Sequence, residues 1–245
     1  MLLAADIGNT NITLGIFDGD TLVKTFRLIS DINMSAEDYE NTLRSLLEGI
    51  NITESAVSSV VDELTPIIKQ VFEKIIGKEC FMLNSDTVKG LKLNPEAAST
   101  IGADRLANAC GALKYKLPVI VVDVGTAVTF DIISEEREFL GGIIMPGINM
   151  KLKALKDYTS KLPQITAGRS PKAIGYTTET CILSGVIRGT ACAIDGLIVQ
   201  CEKELGQKTS VILTGGQAEL VAEYMTRVPE DTNKNLTLEG LKTNL

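Results

Sequence analysis

Two aspartates, each ending an apolar run and followed by a glycine two positions on, constrain this chain more than anything else in it. The first is Asp6, in Leu2-Leu3-Ala4-Ala5-Asp6-Ile7-Gly8-Asn9-Thr10-Asn11. A second apolar run, Ile12 to Phe17, follows at once and closes on Asp18-Gly19-Asp20. The pattern predicts a tight β-hairpin with a polar tip. Asp123 repeats the design in Val119-Ile120-Val121-Val122-Asp123-Val124-Gly125-Thr126-Ala127-Val128-Thr129-Phe130. The two aspartates stand 117 positions apart in a chain of 245. One Asp-x-Gly hairpin is weak evidence of anything. Two, each opening its own half, predict a duplicated domain with a phosphate loop in each copy.

The chemistry of the tip follows from its residue types. Gly8 lets backbone N–H groups approach a ligand that a Cβ would fend off. Those groups, with the side chains of Asn9, Thr10 and Asn11, suit a phosphate chain. Asp6 repels bare phosphate and makes sense there only with a cation between, most simply Mg²⁺. Taken alone, the stretch is equally an Asx-rich turn that binds nothing; the second copy tips the balance.

Composition removes several function classes. The chain has no histidine, which excludes His-ligated zinc and triads that use a histidine base. Any general base must be Asp, Glu, Lys, Tyr or Cys. A net charge of −7 argues against nucleic acid as a partner, since that needs a basic footprint. The first apolar run lacks a basic segment and is interrupted by Asp6, unlike a signal peptide. No apolar stretch reaches the length of a membrane span without charge, so no membrane partner is expected. The five cysteines include no C-x-x-C pair and read as reduced core residues of a cytoplasmic protein.

Further along, Thr21 to Leu28 alternates as a third strand. Ser35 and Asp38 form a capping-box pattern for a helix that Gly49 ends. Ala56–Val61 and Cys80–Leu83 are short strands, and Thr65-Pro66 opens a helix running to Gly77. Lys89 to Pro95 is a loop, and the helix after it carries Leu106, Ala109, Cys110 and Leu113 on one face. Lys116-Leu117-Pro118 marks the boundary between a domain over 1–116 and a second over 117–245. The second begins with strands Val119–Asp123, Ala127–Ile133 and Phe139–Ile144, then a helix from Ile148 to Tyr158. Leu162 to Gly175 is a loop. Thr178 to Leu205 is a long buried helix whose Gly185, Gly189 and Gly196 allow close packing on a neighbour. This helix has few charges for its length. A helix apolar on most sides needs a second neighbour, which a partner subunit would supply. Val211–Leu213, the turn Thr214-Gly215-Gly216-Gln217, and a helix to Thr226 follow, and the polar tail from Asn233 closes the second domain.

Asp6-x-Gly8-Asn9-Thr10, Gly102-Ala103-Asp104-Arg105, Asp123-x-Gly125-Thr126, Pro146-Gly147 and Gly215-Gly216, with Ser58-Ser59-Val60-Val61, resemble the type III pantothenate kinase family in order and spacing. That family lies within the superfamily of actin, Hsp70 and the sugar and acetate kinases. The resemblance runs over essentially the whole chain. It implies an α/β fold of duplicated actin-like ATPase (ribonuclease H-like) domains, each a mixed sheet flanked by helices. It implies ATP, bound between the halves, as phosphoryl donor to the pantothenate hydroxyl, the first step towards coenzyme A. It also implies Mg²⁺, a monovalent cation such as K⁺ or NH₄⁺, and a homodimer with the acceptor near the subunit interface. Two positions depart from the pattern: Pro95 stands where members usually carry an acceptor-contacting Tyr, and Asp62 where a Pro commonly follows the Val-Val pair.

The residues then take roles. Asp6 holds Mg²⁺, directly or through water. The segment Asp6, Ile7, Gly8, Asn9, Thr10, Asn11, Ile12 and Thr13, with Thr126, holds the nucleotide phosphates. By its likeness to Asp6, Asp123 would face a second Mg²⁺ contact; by the resemblance it is a K⁺ ligand, and oxygen donors suit either ion. Asp104 is the candidate base, with a helix-end carboxylate as the alternative reading. Gly102, Ala103, Arg105 and Thr178 are candidate acceptor contacts, although a helix N-cap explains a Thr at 178 equally well. Two rival functions stay open: another small-molecule kinase of the superfamily, and a nucleotide-binding regulator without catalysis.

Overall fold

A computed structural model of the chain describes residues 1–170 and 172–245, without the side chain of Ala97. Pro171, inside the predicted 162–175 loop, lies outside the described residues. The chain divides into two units, Met1–Gly111 with Leu236–Leu245, and Ala112–Asn235.

The first unit opens with β1 (Leu2–Ile7), β2 (Asn11–Asp18) and β3 (Thr21–Ile29), an antiparallel meander. Helix α1 (Ala36–Leu46) starts on the predicted capping box: Ser35 Oγ accepts the Asp38 N–H, and Asp38 accepts the Ser35 N–H. Strand β4 (Glu54–Ser59) returns parallel to β1, as a crossover through a helix requires. Helix α2 (Thr65–Ile76) ends on Gly77 in the left-handed conformation. Its N-cap is Leu64 rather than Thr65, because the Thr65 hydroxyl donates instead to Ser59 Oγ or Val61 O. The two-residue strands β5 (Phe81–Met82) and β6 (Lys92–Leu93), a turn of helix α3 (Pro95–Ala98), and α4 (Ala103–Ala112) follow. The sheet order is β3-β2-β1-β4-β5. Its core gathers Leu3, Ala5 and Ile7 of β1 with Leu14, Tyr39, Val57, Ile68 and Phe72.

The second unit repeats the opening: β7 (Val119–Val124), β8 (Ala127–Ile133) and β9 (Glu138–Pro146) form an antiparallel meander. Helix α5 (Ile148–Asp157) follows. The predicted long helix spans Thr178–Leu205 as α6 (Thr178–Leu183), a π-helical turn at Ser184–Arg188, and α7 (Gly189–Leu205). Strand β10 (Ser210–Thr214) lies parallel to β7, with α8 (Ala218–Ala222) and β11 (Asp231–Thr232) after it. The order within the unit is β11-β10-β7-β8-β9. The buried face of the long helix, Ile182, Ile187, Ile194 and Ile198, packs with Ile120, Val122 and Phe130 of the sheet.

Three expectations are corrected. The long helix is buried on one face only: Cys181, Gly185, Gly189, Cys192, Gly196 and Val199 are exposed. Beyond the neighbouring residues and backbone of the helix itself, no described atom lies within 4 Å of where a Cβ would stand at Gly185, Gly189 or Gly196, so these glycines serve no close packing inside the chain. The cysteines are all free, but only Cys80 and Cys110 are buried. The domain boundary moves from 116/117 to 111/112, and the tail leaves the second unit. Helix α9 (Leu236–Lys242) returns to the first unit because its leucines 236, 238 and 241 are buried there. A Cβ on Gly240 would collide with the Ala107 carbonyl, and one on Gly111 would stand 2.5 Å from the Leu236 carbonyl. Glycines thus let α4 and α9 touch backbone to backbone. Thr237 Oγ1 donates to Asn108 Oδ1 at 2.7 Å, and the Lys89 N–H donates to Asn244 Oδ1 at 2.6 Å.

Candidate active site

Asp6 is the next-to-last residue of β1, facing Thr13 across the hairpin and Ser58 on the parallel strand β4. Ser58 is fully buried, and its hydroxyl donates to Asp6 Oδ1 at 3.1 Å. The hairpin tip is held from the far side by Ser30, whose hydroxyl donates to Gly8 O at 2.5 Å and whose N–H donates to Thr10 O at 3.1 Å. Asn9 and Thr10 are exposed at the tip. Ile7 and Ile12 have their side chains in the core, so of these two only backbone is left to meet a ligand. At Gly8 a Cβ would find only the Asn11 carbonyl, at 3.4 Å. The tip is open, and the glycine there keeps backbone accessible rather than relieving a clash.

Asp104 lies in the first turn of α4, whose first helical bond runs from Leu106 N–H to Gly102 O at 3.1 Å. Its Oδ1 accepts the Arg105 N–H at 2.7 Å. A Cβ on Gly102 would stand 2.6 Å from Asp104 Oδ1 and 3.4 Å from Val60 Cγ1, so only glycine leaves the carboxylate this position. Val60 in turn donates its N–H to Ile7 O at 3.1 Å. Val60 thus lies beside the turn carrying Asp104 and is bonded to the hairpin carrying Asp6. Burial pushes the Asp104 carboxyl above the usual range, outweighing the Arg105 N–H and the Arg105 charge, which pull it down. A carboxylate short of solvation is a better proton acceptor than one in water.

In the second unit Asp123 has the same place on β7, facing Thr129 on β8 and Thr214 on the parallel strand β10. Its surroundings are tighter. A Cβ on Gly125 would stand 3.2 Å from Asp123 Oδ1, and one on Gly215, where φ is +91°, would collide with that same oxygen. Gly147 presses on the hairpin's Thr126 and Gly125 carbonyls, and its N–H donates to Thr126 O at 3.2 Å. Thr126 is exposed. Thr178 is also exposed; the cap of its helix is Thr177, paired with Thr180, so capping does not account for Thr178.

The donor set fits Mg²⁺ at Asp6. No cluster of three or more His, Cys, Asp or Glu side chains exists among the described residues. A cation here would thus keep mostly water and phosphate ligands, which is how Mg²⁺ is held. At Asp123 the donor is likewise a carboxylate oxygen; the Gly125 and Thr126 carbonyls of the same turn face Gly147, whose N–H donates to Thr126 O.

The type III pantothenate kinase family model matches residues 2–200. The chain belongs to the type III pantothenate kinase family. A family member from Moorella thermoacetica is 38% identical over 250 residues, covering 99% of this chain and 97% of its own. One from Roseiflexus castenholzii is 39% identical over 248 residues, with 99% and 97% covered. Among solved structures, a Campylobacter jejuni protein of the Baf family of transcriptional activators superposes with a TM-score of 0.62 at 24% identity, covering 99% of this chain and 96% of that one. MreB 5 of Spiroplasma citri bound to AMPPNP gives 0.53 at 11% identity, with 99% and 95% covered. At these identities the structural likenesses speak for the fold alone, and the fold is the duplicated actin-like one expected. Two residues of the site went unread in the sequence. Ser58 lies in a stretch that carried the family resemblance but no role, and Ser30 has no local signal at all.

Proposed function

We propose that this chain transfers the γ-phosphoryl group of ATP to the primary alcohol of pantothenate, the step that opens coenzyme A synthesis. Family membership supports the substrate pair. The observation that carries the chemistry lies in the first unit: Val60, bonded through its N–H to Ile7 of the Asp6 hairpin, lies beside Gly102 at the start of the turn that carries Asp104.

The acceptor oxygen attacks the γ-phosphorus, the bond from that phosphorus to the bridging oxygen breaks, and ADP leaves. The alcohol proton passes to Asp104. In a loose transition state it departs late, so the carboxylate's position counts for more than its basicity. Asp6 is the residue to hold Mg²⁺, which when bound neutralises charge on the β- and γ-phosphates. Gly8, Asn9, Thr10, Asn11 and Thr13 offer N–H and side-chain groups to those phosphates, and Thr126 adds a hydroxyl. Asp123 takes a monovalent cation, K⁺ or NH₄⁺. Arg105 binds the pantothenate carboxylate, with Gly102, Ala103 and Thr178 contacting the rest of the acceptor. The protein works in the cytoplasm, in keeping with its free cysteines. It works as a homodimer, a reading supported by the uncharged exposed face Cys181, Gly185, Gly189, Cys192, Gly196 and Val199.

A coupled ADP-release assay tests the whole reading. Pantothenate should support turnover in Mg²⁺ and K⁺, whereas a panel of sugars and short acids should not. Turnover with a sugar and none with pantothenate would transfer the chain to another kinase activity. Light scattering at micromolar concentration should give the mass of two chains.

A further inference from the structure

The two hairpin aspartates share more than an Asp-x-Gly spelling. Asp6 has Thr13 beside it on the antiparallel strand and Ser58 on the parallel one. Asp123 has Thr129 on the antiparallel strand and Thr214 on the parallel one. In each half a hydroxyl, a carboxylate and a hydroxyl thus form one row across three strands, because residues in register on neighbouring strands project from the same face. On the parallel side the hydroxyl is buried: Ser58 is 0% exposed and Thr214 1%. An apolar residue would serve burial there without the cost of placing a hydroxyl in the core. That both halves keep a hydroxyl at this one register position points to its use.

At Ser58 the use is visible. Its hydroxyl donates to Asp6 Oδ1 at 3.1 Å from a strand whose own exit is braced. Thr65 Oγ1 donates to Ser59 Oγ at 2.7 Å or to Val61 O at 2.8 Å, and the Val60 N–H is bonded to Ile7 O at 3.1 Å. The donor therefore stands on an interior strand whose end is braced. The Cβ–Cγ torsion of an aspartate is broad, so a hydrogen bond to one named oxygen narrows it. We propose that Ser58 is a positioning residue for metal-dependent nucleotide binding: its hydroxyl holds Asp6 Oδ1 and so helps fix the rotation of the carboxylate that meets the cation and its water, with Thr214 in the corresponding register place beside Asp123. This rests on the reading of Asp6 as the metal-facing carboxylate.

The test compares Ser58→Ala, Ser58→Thr and Asp6→Asn with the parent chain. Calorimetry measures binding of a non-hydrolysable ATP analogue with and without Mg²⁺, beside melting temperature. Ser58→Ala should weaken Mg²⁺-dependent binding about 10- to 100-fold, the usual range for a residue that orients a metal ligand. Binding without metal should stay at the parental level, and Ser58→Thr, which keeps the hydroxyl, should restore the Mg²⁺ response. Should Ser58→Ala fail to fold, Ser58→Cys keeps the shape of the site with a much weaker donor and carries the same comparison. Parental Mg²⁺ dependence in the Ala or Cys variant, with loss in Asp6→Asn, overturns the positioning role and leaves the Asp6 reading standing. Parental Mg²⁺ dependence in Asp6→Asn overturns both. A loss that is equal with and without metal assigns Ser58 to stability and also overturns the proposal.

Discussion

The hairpins of β1–β2 and β7–β8 have the same strand plan and carry their aspartates at the same register position, yet they present them differently. Around Asp6 the tip is open: Asn9 and Thr10 are exposed, and a Cβ on Gly8 would meet nothing closer than 3.4 Å. Around Asp123 the tip is crowded by Gly147 from the β9–α5 turn and Gly215 from the β10–α8 turn, each against oxygen atoms of the hairpin. Duplication has kept the carboxylate and its hydroxyl neighbours, while the adjoining turns decide what reaches it. An open tip suits a polyphosphate with a hydrated Mg²⁺. A closed tip with an oxygen donor suits a single, weakly hydrated cation. The first unit also carries Asp104, so the proposed chemistry is concentrated on the open side.

That asymmetry predicts unequal losses. Asp104→Asn should lower kcat by about 10²–10⁴, the usual cost of a general base. Binding of ATP should change little; near-parental kcat would end the candidacy of Asp104. Asp6→Asn comes next, with a loss of about 10²–10³ in Mg²⁺-supported turnover, comparable to removing one preorganised charge contact. Asp123→Asn should cost less and differently: the rates in K⁺, NH₄⁺ and Na⁺ should become equal while the Mg²⁺ dependence survives. If the two aspartate variants lose the same response, the distinction between the hairpins collapses. Parental rates that are already equal in all three salts would remove the monovalent cation from Asp123.

The strand plan was legible because it repeats and because each half begins with buried runs that alternate with turn residues. The capping box at Ser35 and the Gly77 stop are legible for another reason: each is settled by local backbone chemistry. The absence of histidine and the family resemblance point to Asp104, but the reason for Gly102 is a collision with the Asp104 carboxylate that only the three-dimensional structure reveals. Ser58 and Ser30 touch the first hairpin from 52 and 22 residues away, and separation of that kind leaves no periodic trace. The tail misled because Asn233–Leu245 is polar by count, while Leu236, Leu238 and Leu241 place its apolar atoms on one buried face.

The glycines sharpen the contrast on the stability side. Gly147→Ala puts a methyl into the Thr126 carbonyl and 2.5 Å from the Gly125 carbonyl, both backbone atoms that cannot swing away. Overpacking of this kind typically costs about 1–3 kcal/mol. Gly8→Ala adds a methyl at ordinary contact distance and should stay within about 0.5 kcal/mol of the parent. It should nevertheless weaken Mg·ATP binding, because the methyl stands where backbone meets phosphate. Thermal melts of the two variants separate the cases. Equal melting temperatures would mean that the second hairpin is no tighter than the first.

One stability effect runs opposite in sign. Burial raises the Asp104 carboxyl above its ordinary value, with desolvation prevailing over the Arg105 N–H and charge. An acid whose folded pKa lies above its unfolded one binds more protons in the native state over the interval between them. Stability then falls as pH rises through that interval, and at neutral pH the native state carries the full penalty of an under-solvated charge. Asp104→Asn removes the charge while keeping the shape and an acceptor for the Arg105 N–H. The variant should therefore be more stable than the parent at pH 7, by roughly 0.5–2 kcal/mol, the usual scale for relieving a functional site. The gain should shrink as pH drops and vanish below the ordinary aspartate range, where the parent's carboxyl is also neutral. A plain helix-end carboxylate predicts the reverse, since its charge favours the helix N-terminus by about 0.3–1 kcal/mol and its loss would lower the melting temperature at neutral pH. Denaturant unfolding of parent and variant across pH 4 to 8 distinguishes the two by sign alone. A variant less stable at pH 7 would show that the charge of Asp104 supports the helix start, leaving its part in turnover to the kcat comparison.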